Sequence, residues 1–134
     1  MNREIKYRGK NLTNNQWIYG GIAEDKDGNF VVLPKNNWQK GRCVDKETIG
    51  QFTGLYDKNS KEIYEGDILL FRTDRFTSKP IAVVFHNGAF GYFYTGDFVS
   101  FVGNTNFKFC INGSDEFFEI IGNIHDNPEL IKEK

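Results

Sequence analysis

The chain has 134 residues, the size of a single folded domain with one hydrophobic core. Its 17 basic and 18 acidic side chains give a net charge of -1, which disfavours a protein that coats nucleic acid by neutralising phosphates. No apolar run approaches the roughly 20 residues that a membrane-spanning helix needs. Because no apolar signal-peptide stretch is visible either, we expect a cytoplasmic protein in a reducing compartment.

Aromatic residues are the unusual part of the composition. The chain contains 13 Phe, six Tyr and two Trp against a single Met. Stiff, flat side chains pack better on pleated sheets than on helical surfaces. The composition therefore predicts an all-β (mainly β) fold.

The first half of the chain reads as strands separated by turns. The predicted strands cover residues 5–8, 17–22, 30–33 and 48–55. Asp27-Gly28 supplies a turn, so 17–33 is predicted to form a hairpin. Residues 35–46 follow neither the helical nor the strand period, and we expect them to form a loop.

The second half continues the same pattern. After a turn at 57–60, residues 62–67 lead into a predicted buried strand at 68–71. Further strands are predicted at 81–86, 89–94, 98–102, 107–111 and 117–121. Asn87-Gly88 is the strongest hairpin signal, because both residues readily take the positive φ angles of a type I′ turn. Breaks at about ten-residue intervals are typical of sandwiches and barrels. We expect antiparallel sheets in a barrel-like or pseudobarrel arrangement with short helical segments.

The predicted organisation is a single domain over residues 1–134, since no linker, repeat or low-complexity tract divides the chain. N-terminal strands and a loop, residues 1–47, are expected to pack on a barrel-like core at 48–124. Asn127 can cap a helix whose first position is Pro128, which predicts a short C-terminal helix over 127–133.

Cysteines and histidines give no catalytic or metal-binding pattern. Cys43 and Cys110 lie far apart and form no C-x-x-C pair, and whether they pair with each other stays open. His86 and His125 lack a recognisable partner spacing. The sequence predicts no catalytic residue, no metal ligand and no cofactor.

Seven residues are candidates for binding a partner. Basic residues and aromatics on early strands resemble the side chains with which open sheets stack nucleic-acid bases. Glu65 and Asp67 flank Gly66, which fits either a carboxylate pair on one face or a turn stabilised by Asp67. The candidates are Arg8, Lys10, Trp17, Tyr19, Tyr64, Glu65 and Asp67.

Several ordered blocks resemble the YopX family of phage and prophage proteins. They are REIKYRGK at 3–10 with Trp17 and Tyr19-Gly20, VD at 44–45, TIGQFTGL at 48–55, DKN at 57–59, KEIYEGDI at 61–68 and IIGNIHDNPEL at 120–130. Ser60 stands where the family usually has Gly, and residues 72–116 resemble the family only in being strand-like. The resemblance implies a mostly β, barrel-like fold, a phage or prophage origin and no established activity. It supplies no catalytic residues.

Three functions from different classes remain open. The first is a non-enzymatic protein-interaction module, an accessory factor that docks on a phage or host bacterial protein. The second is a nucleic-acid-binding barrel that uses the basic N-terminal strand and the aromatics. The third is a small enzyme centred on Glu65, Asp67 or a histidine. We favour the first; homo-oligomerisation stays open.

Overall fold

A computed structural model describes residues 4–101 and 117–131 of the chain. The strands are β1 (Tyr7–Asn11), β2 (Trp17–Glu24), β3 (Phe30–Leu33), β4 (Arg42–Tyr56), β5 (Glu62–Tyr64), β6 (Asp67–Phe71), β7 (Ile81–Ala82), β8 (Val84–His86), β9 (Ala89–Tyr94), β10 (Asp97–Ser100) and β11 (Phe118–Asn123). The described residues also contain two 3-10 turns, Trp38–Lys40 and Pro128–Leu130. The prediction of a mainly β, antiparallel fold is confirmed.

The chain divides into two compact units, residues 1–52 and 53–134. In the first unit, β1 pairs with β2, β2 with β3, β3 with β4, and β4 again with β1. The pairings form a closed antiparallel circuit. Val32 and Val44 are buried in it, and a side chain at Gly9 would come within 2.9 Å of Val44. Glycine at this position therefore lets two strands approach closely.

The prediction of a loop over residues 35–46 is wrong for its second half. A 3-10 turn begins at Trp38, and β4 begins at Arg42. Cys43 pairs with Val31 of β3, and Asp45 pairs with Lys10 of β1, so the segment is paired with two strands. Among residues 42–47 only Val44 is buried. Backbone pairing rather than side-chain alternation makes it a strand, which is why the sequence pattern missed it.

In the second unit, β11, β6 and β7 form one three-stranded sheet and β10, β9 and β8 form another. The predicted strand at 81–86 contributes to both, because it changes sheets at Val83. The Val83 N–H donates to the carbonyl of Asp67, and its carbonyl accepts from the N–H of Gly66. Asn87 and Gly88 both have positive φ, as the predicted hairpin turn requires.

Aromatic rings fill much of the core of this unit. Phe118 is fully buried and lies 5.2 Å from Phe71, 5.8 Å from Phe101 and 6.1 Å from Tyr92, measured between ring centroids. These pairs are edge-to-face, the arrangement that aromatic quadrupoles favour. The aromatic core that the composition predicts is therefore present here.

Asp57 is a fully buried carboxylate that binds three backbone amides. Its Oδ1 accepts from the N–H groups of Asn59 and Lys61, and its Oδ2 accepts from the N–H of Ile120 at 3.0 Å. One side chain thus closes the turn before β5 and attaches it to β11, which is 63 residues away in sequence. Hydrogen bonds to an ionised acceptor are stronger than neutral ones.

The remaining predictions concern the C-terminal half and the domain count. The C-terminal helix is only the 3-10 turn Pro128–Leu130. The predicted strand at 107–111 lies outside the described residues, as does Val102 of the one at 98–102. The arrangement as a single domain stays a prediction. Across residues 4–101 and 117–131, no helix has the length and apolar character to cross a membrane.

We predict that Asp57→Ala lowers the free energy of unfolding by about 3 kcal/mol or more, because it leaves three amide donors without their acceptor. Urea denaturation measures this change. Asp97→Ala, which removes an exposed carboxylate, is the control and should change stability by less than about 0.5 kcal/mol. A loss below about 1 kcal/mol in Asp57→Ala would show that the carboxylate does not hold the turn to β11.

Candidate functional site

The structure brings four of the seven predicted site residues together on one face of β1 and β2. Arg8 lies opposite Tyr19 and Lys10 lies opposite Trp17 in the strand register. The Arg8 guanidinium carbon lies 4.5 Å from the centroid of the Trp17 ring, and the Lys10 Nζ lies 5.5 Å from it. We call Arg8, Lys10, Trp17 and Tyr19 the basic-aromatic cluster. Cation–π interactions hold its two cations on Trp17, and the strand register places Tyr19 beside Arg8.

Burial limits what this cluster can bind. The Arg8 side chain is only 5% exposed, and its guanidinium already occupies a face of the Trp17 ring. Tyr19 is 45% exposed and is the more accessible of the two rings in the cluster. Stacking of a base on Trp17 would have to displace Arg8 or use the other face of the ring. The cluster therefore serves the packing of β1 on β2 at least as well as ligand binding.

The other three predicted residues lie at the turn between β5 and β6: Tyr64 ends β5, Glu65 is in the turn, and Asp67 begins β6. The Asp67 Oδ2 accepts from the N–H of Tyr64 at 2.7 Å, and Gly66 has a φ of 95°. Tyr64 and Asp67 are buried, and Glu65 is half-buried. The turn interpretation of Glu65-Gly66-Asp67 agrees with this geometry, since the carboxylate of Asp67 is engaged by backbone.

A second surface, which the sequence analysis did not select, lies on the sheet of β8, β9 and β10. His86, Phe93 and Phe98 form a triangle of rings, which we call the aromatic face. Ring centroids are 5.1 Å apart for His86 and Phe93, 4.9 Å for His86 and Phe98, and 5.4 Å for Phe93 and Phe98. Phe93 is 48% exposed, and the other two are half-buried.

Two short turns place these rings on the same side. Asn87-Gly88 joins β8 to β9, and Thr95-Gly96, also with positive φ at both residues, joins β9 to β10. The second turn sets Phe93 directly opposite Phe98. Recognising Thr95-Gly96 as a hairpin turn would have predicted this pair from the sequence.

Gly91 gives the Phe98 ring its place on the aromatic face. A Cβ at residue 91 would come within 2.8 Å of the Phe98 Cζ. The ring therefore lies over backbone that carries no side chain. Glycine in a strand interior often marks such a close approach.

Charge distinguishes the aromatic face from the basic-aromatic cluster. The sequence contains no Lys or Arg between Lys79 and Lys108, and Asp97 is the one carboxylate in that interval. Nucleic-acid platforms combine stacking rings with cations that contact phosphates. The three strands that carry the aromatic face supply no such cations.

The histidines and Cys43 do not assemble a reactive site among the described residues. His86 packs against two phenylalanines, and the N–H of His125 donates to the side-chain oxygen of Asn123 in a turn. Over residues 4–101 and 117–131, no group of three or more His, Cys, Asp or Glu side chains is arranged to hold a metal ion. Cys43 is an exposed free thiol, and Cys110 lies outside the described residues.

We predict that Trp17→Leu and Lys10→Gln show a coupling free energy of about 0.5 to 1 kcal/mol in a double-mutant cycle, since both changes remove the same cation–π contact. Urea denaturation of the two single variants, the double variant and the original chain gives the coupling. The control is the same cycle with Trp38→Leu in place of Trp17→Leu, because Trp38 is 77% exposed. Strictly additive effects of Trp17 and Lys10 would contradict the contact.

Comparisons with known proteins agree with this architecture. A family model described as YopX protein matches residues 6–132. The chain is also similar to the crystal structure of protein EF1440 from Enterococcus faecalis, with a TM-score of 0.57 and 22% identity over 98% of this chain and 100% of that one. At this identity the likeness shows the fold alone. No curated protein sequence matches the chain. Since the family model spans nearly its whole length, the chain belongs to the YopX protein family.

Proposed function

We propose that the protein is a non-enzymatic protein-interaction module that docks through the aromatic face of β8, β9 and β10. The supporting observation is the triangle of His86, Phe93 and Phe98, which is partly open to solvent on strands without Lys or Arg. Aromatic side chains are enriched in the central contacts of protein interfaces, where charged residues are depleted.

The geometry of the face favours a partner that packs on rings already held in place. Three rings in tilted and edge-to-face contact hold one another in place. Each therefore loses little side-chain entropy when a partner packs on it. The partner that fits is a protein with an apolar patch, and the YopX resemblance makes a phage or host bacterial protein the proposed source. The proposed setting is the bacterial cytoplasm.

A nucleic-acid-binding role is the second candidate, supported by the basic-aromatic cluster of the first unit. Lys6, two residues before Arg8 in sequence, is a further cation of this unit, and its Nζ lies 5.5 Å from the Phe52 ring centroid. However, the Glu4 Oε1 lies 3.6 Å from the Lys6 Nζ. Asp45 lies opposite Lys10 in the strand register. These carboxylates reduce the local positive charge that phosphate binding needs.

The test compares capture by the tagged chain with capture by Phe93→Ser and by Phe85→Ser, from phage-carrying cells. Phe85 is the matched control, because it is 53% exposed and lies on the opposite face of the same sheet. We expect a specific protein that persists through nuclease and high salt. Its recovery should fall tenfold or more with Phe93→Ser, as expected for an aromatic at the centre of an interface, and change little with Phe85→Ser.

Two results would contradict the proposal. Equal capture by all three proteins would show that the aromatic face is not the binding surface. Recovery dominated by nucleic acid, lost on nuclease treatment and unaffected by Phe93→Ser, would favour the second candidate. Circular dichroism and thermal unfolding of each variant show whether it remains folded.

A further inference from the structure

The sheet that carries the aromatic face borders a cavity on its other side. The cavity has a volume of about 120 Å³. Its lining consists of Phe71, Phe76, Ser78, Ile81, Tyr92 and Tyr94. Tyr92 and Tyr94 alternate with Phe93 along β9, so they point away from the aromatic face. The cavity is thus separate from the surface proposed above.

The connection between β6 and β7 forms one wall of the cavity. It folds back on the end of β6 because the N–H of Ser78 donates to the carbonyl of Phe71, while the N–H of Phe71 donates to the Ser78 hydroxyl oxygen. The N–H of Thr73 donates to the carbonyl of Phe76. These bonds hold Phe76 beside Phe71, with 6.4 Å between ring centroids. Phe76 is half exposed and lies where the cavity meets solvent.

The chemistry of the lining selects for an uncharged ligand. The Ser78 hydroxyl is already engaged, since it donates to the carbonyl of Lys79 as well as accepting from Phe71. Burial, with a smaller contribution from Tyr94, raises the pKa of Tyr92 well above its ordinary value, so its phenol stays neutral. No lining side chain carries a charge at pH 7, and an ion entering the cavity would lose hydration without gaining a counter-charge.

The volume restricts the ligand to a single ring. Sites for drug-sized molecules occupy about 300 to 1,000 Å³. An apolar cavity of about 150 Å³ accommodates benzene. We propose that this cavity binds one uncharged aromatic ring, of the size of benzene or phenol, carried by a small molecule. Four aromatic side chains of the lining supply the contacts that such a ring favours.

The test is a titration of the ¹⁵N-labelled chain with phenol, benzene and benzoate, followed by two-dimensional NMR. Phenol and benzene should give saturable shifts of the Phe71, Phe76 and Ile81 amides, with a Kd on the order of 1 mM, as the contact area of so few atoms permits. Benzoate should bind at least tenfold more weakly because of its charge.

Two variants locate the binding. Ile81→Phe fills the cavity and should weaken phenol binding at least tenfold. Phe76→Ala removes a half-exposed wall and should weaken it several-fold without entering the core, which keeps the test decisive if Ile81→Phe does not fold. Phe93→Ser, on the other side of the sheet, is the control and should leave phenol binding unchanged. Non-saturable shifts, equal binding of benzoate, or unchanged binding by folded Phe76→Ala would overturn the proposal.

Discussion

The structure of the second unit depends on the attachment of β11 by the buried carboxylate of Asp57. The acceptor oxygens of this one side chain bind amides in the turn before β5 and the amide of Ile120. A buried ionised group is tolerated only where hydrogen bonds compensate its lost hydration. Because two of the donors lie in the turn and the third lies in β11, far away in sequence, the carboxylate also fixes how these two segments meet.

The orientation of the aromatic face follows from this attachment through the core. β11 carries Phe118, whose buried ring packs against Tyr92 of β9. With Tyr92 directed inward, strand alternation directs Phe93 outward, opposite Phe98. The exposed rings are therefore a consequence of the packing of the core beneath them. The same alternation places Tyr92 and Tyr94 on the cavity, so one strand presents two chemically different surfaces.

The sequence predicted those strands and turns that are determined by a few neighbouring residues. The Asn87-Gly88 hairpin, the strand at 30–33 and the turn at 65–67 are examples. Strand β4 was missed at its start because Val44 is the only buried residue there, and pairing with β3 and β1 makes the segment a strand. The basic-aromatic cluster could be predicted since its residues lie on adjacent strands, whereas the aromatic face required the register of three strands. No local pattern indicated that Asp57 would bind Ile120, because that contact depends on the tertiary fold.

Native-state hydrogen exchange at the Ile120 amide tests the central role of Asp57 most directly. If the carboxylate holds β11 in place, the amides of Ile120, Asn59 and Lys61 should exchange only through cooperative opening of the unit, with one shared free energy close to that of global unfolding. Rapid exchange at Ile120 while the amides of β6 stay protected would contradict the account, since it would show that the sheet forms without this attachment.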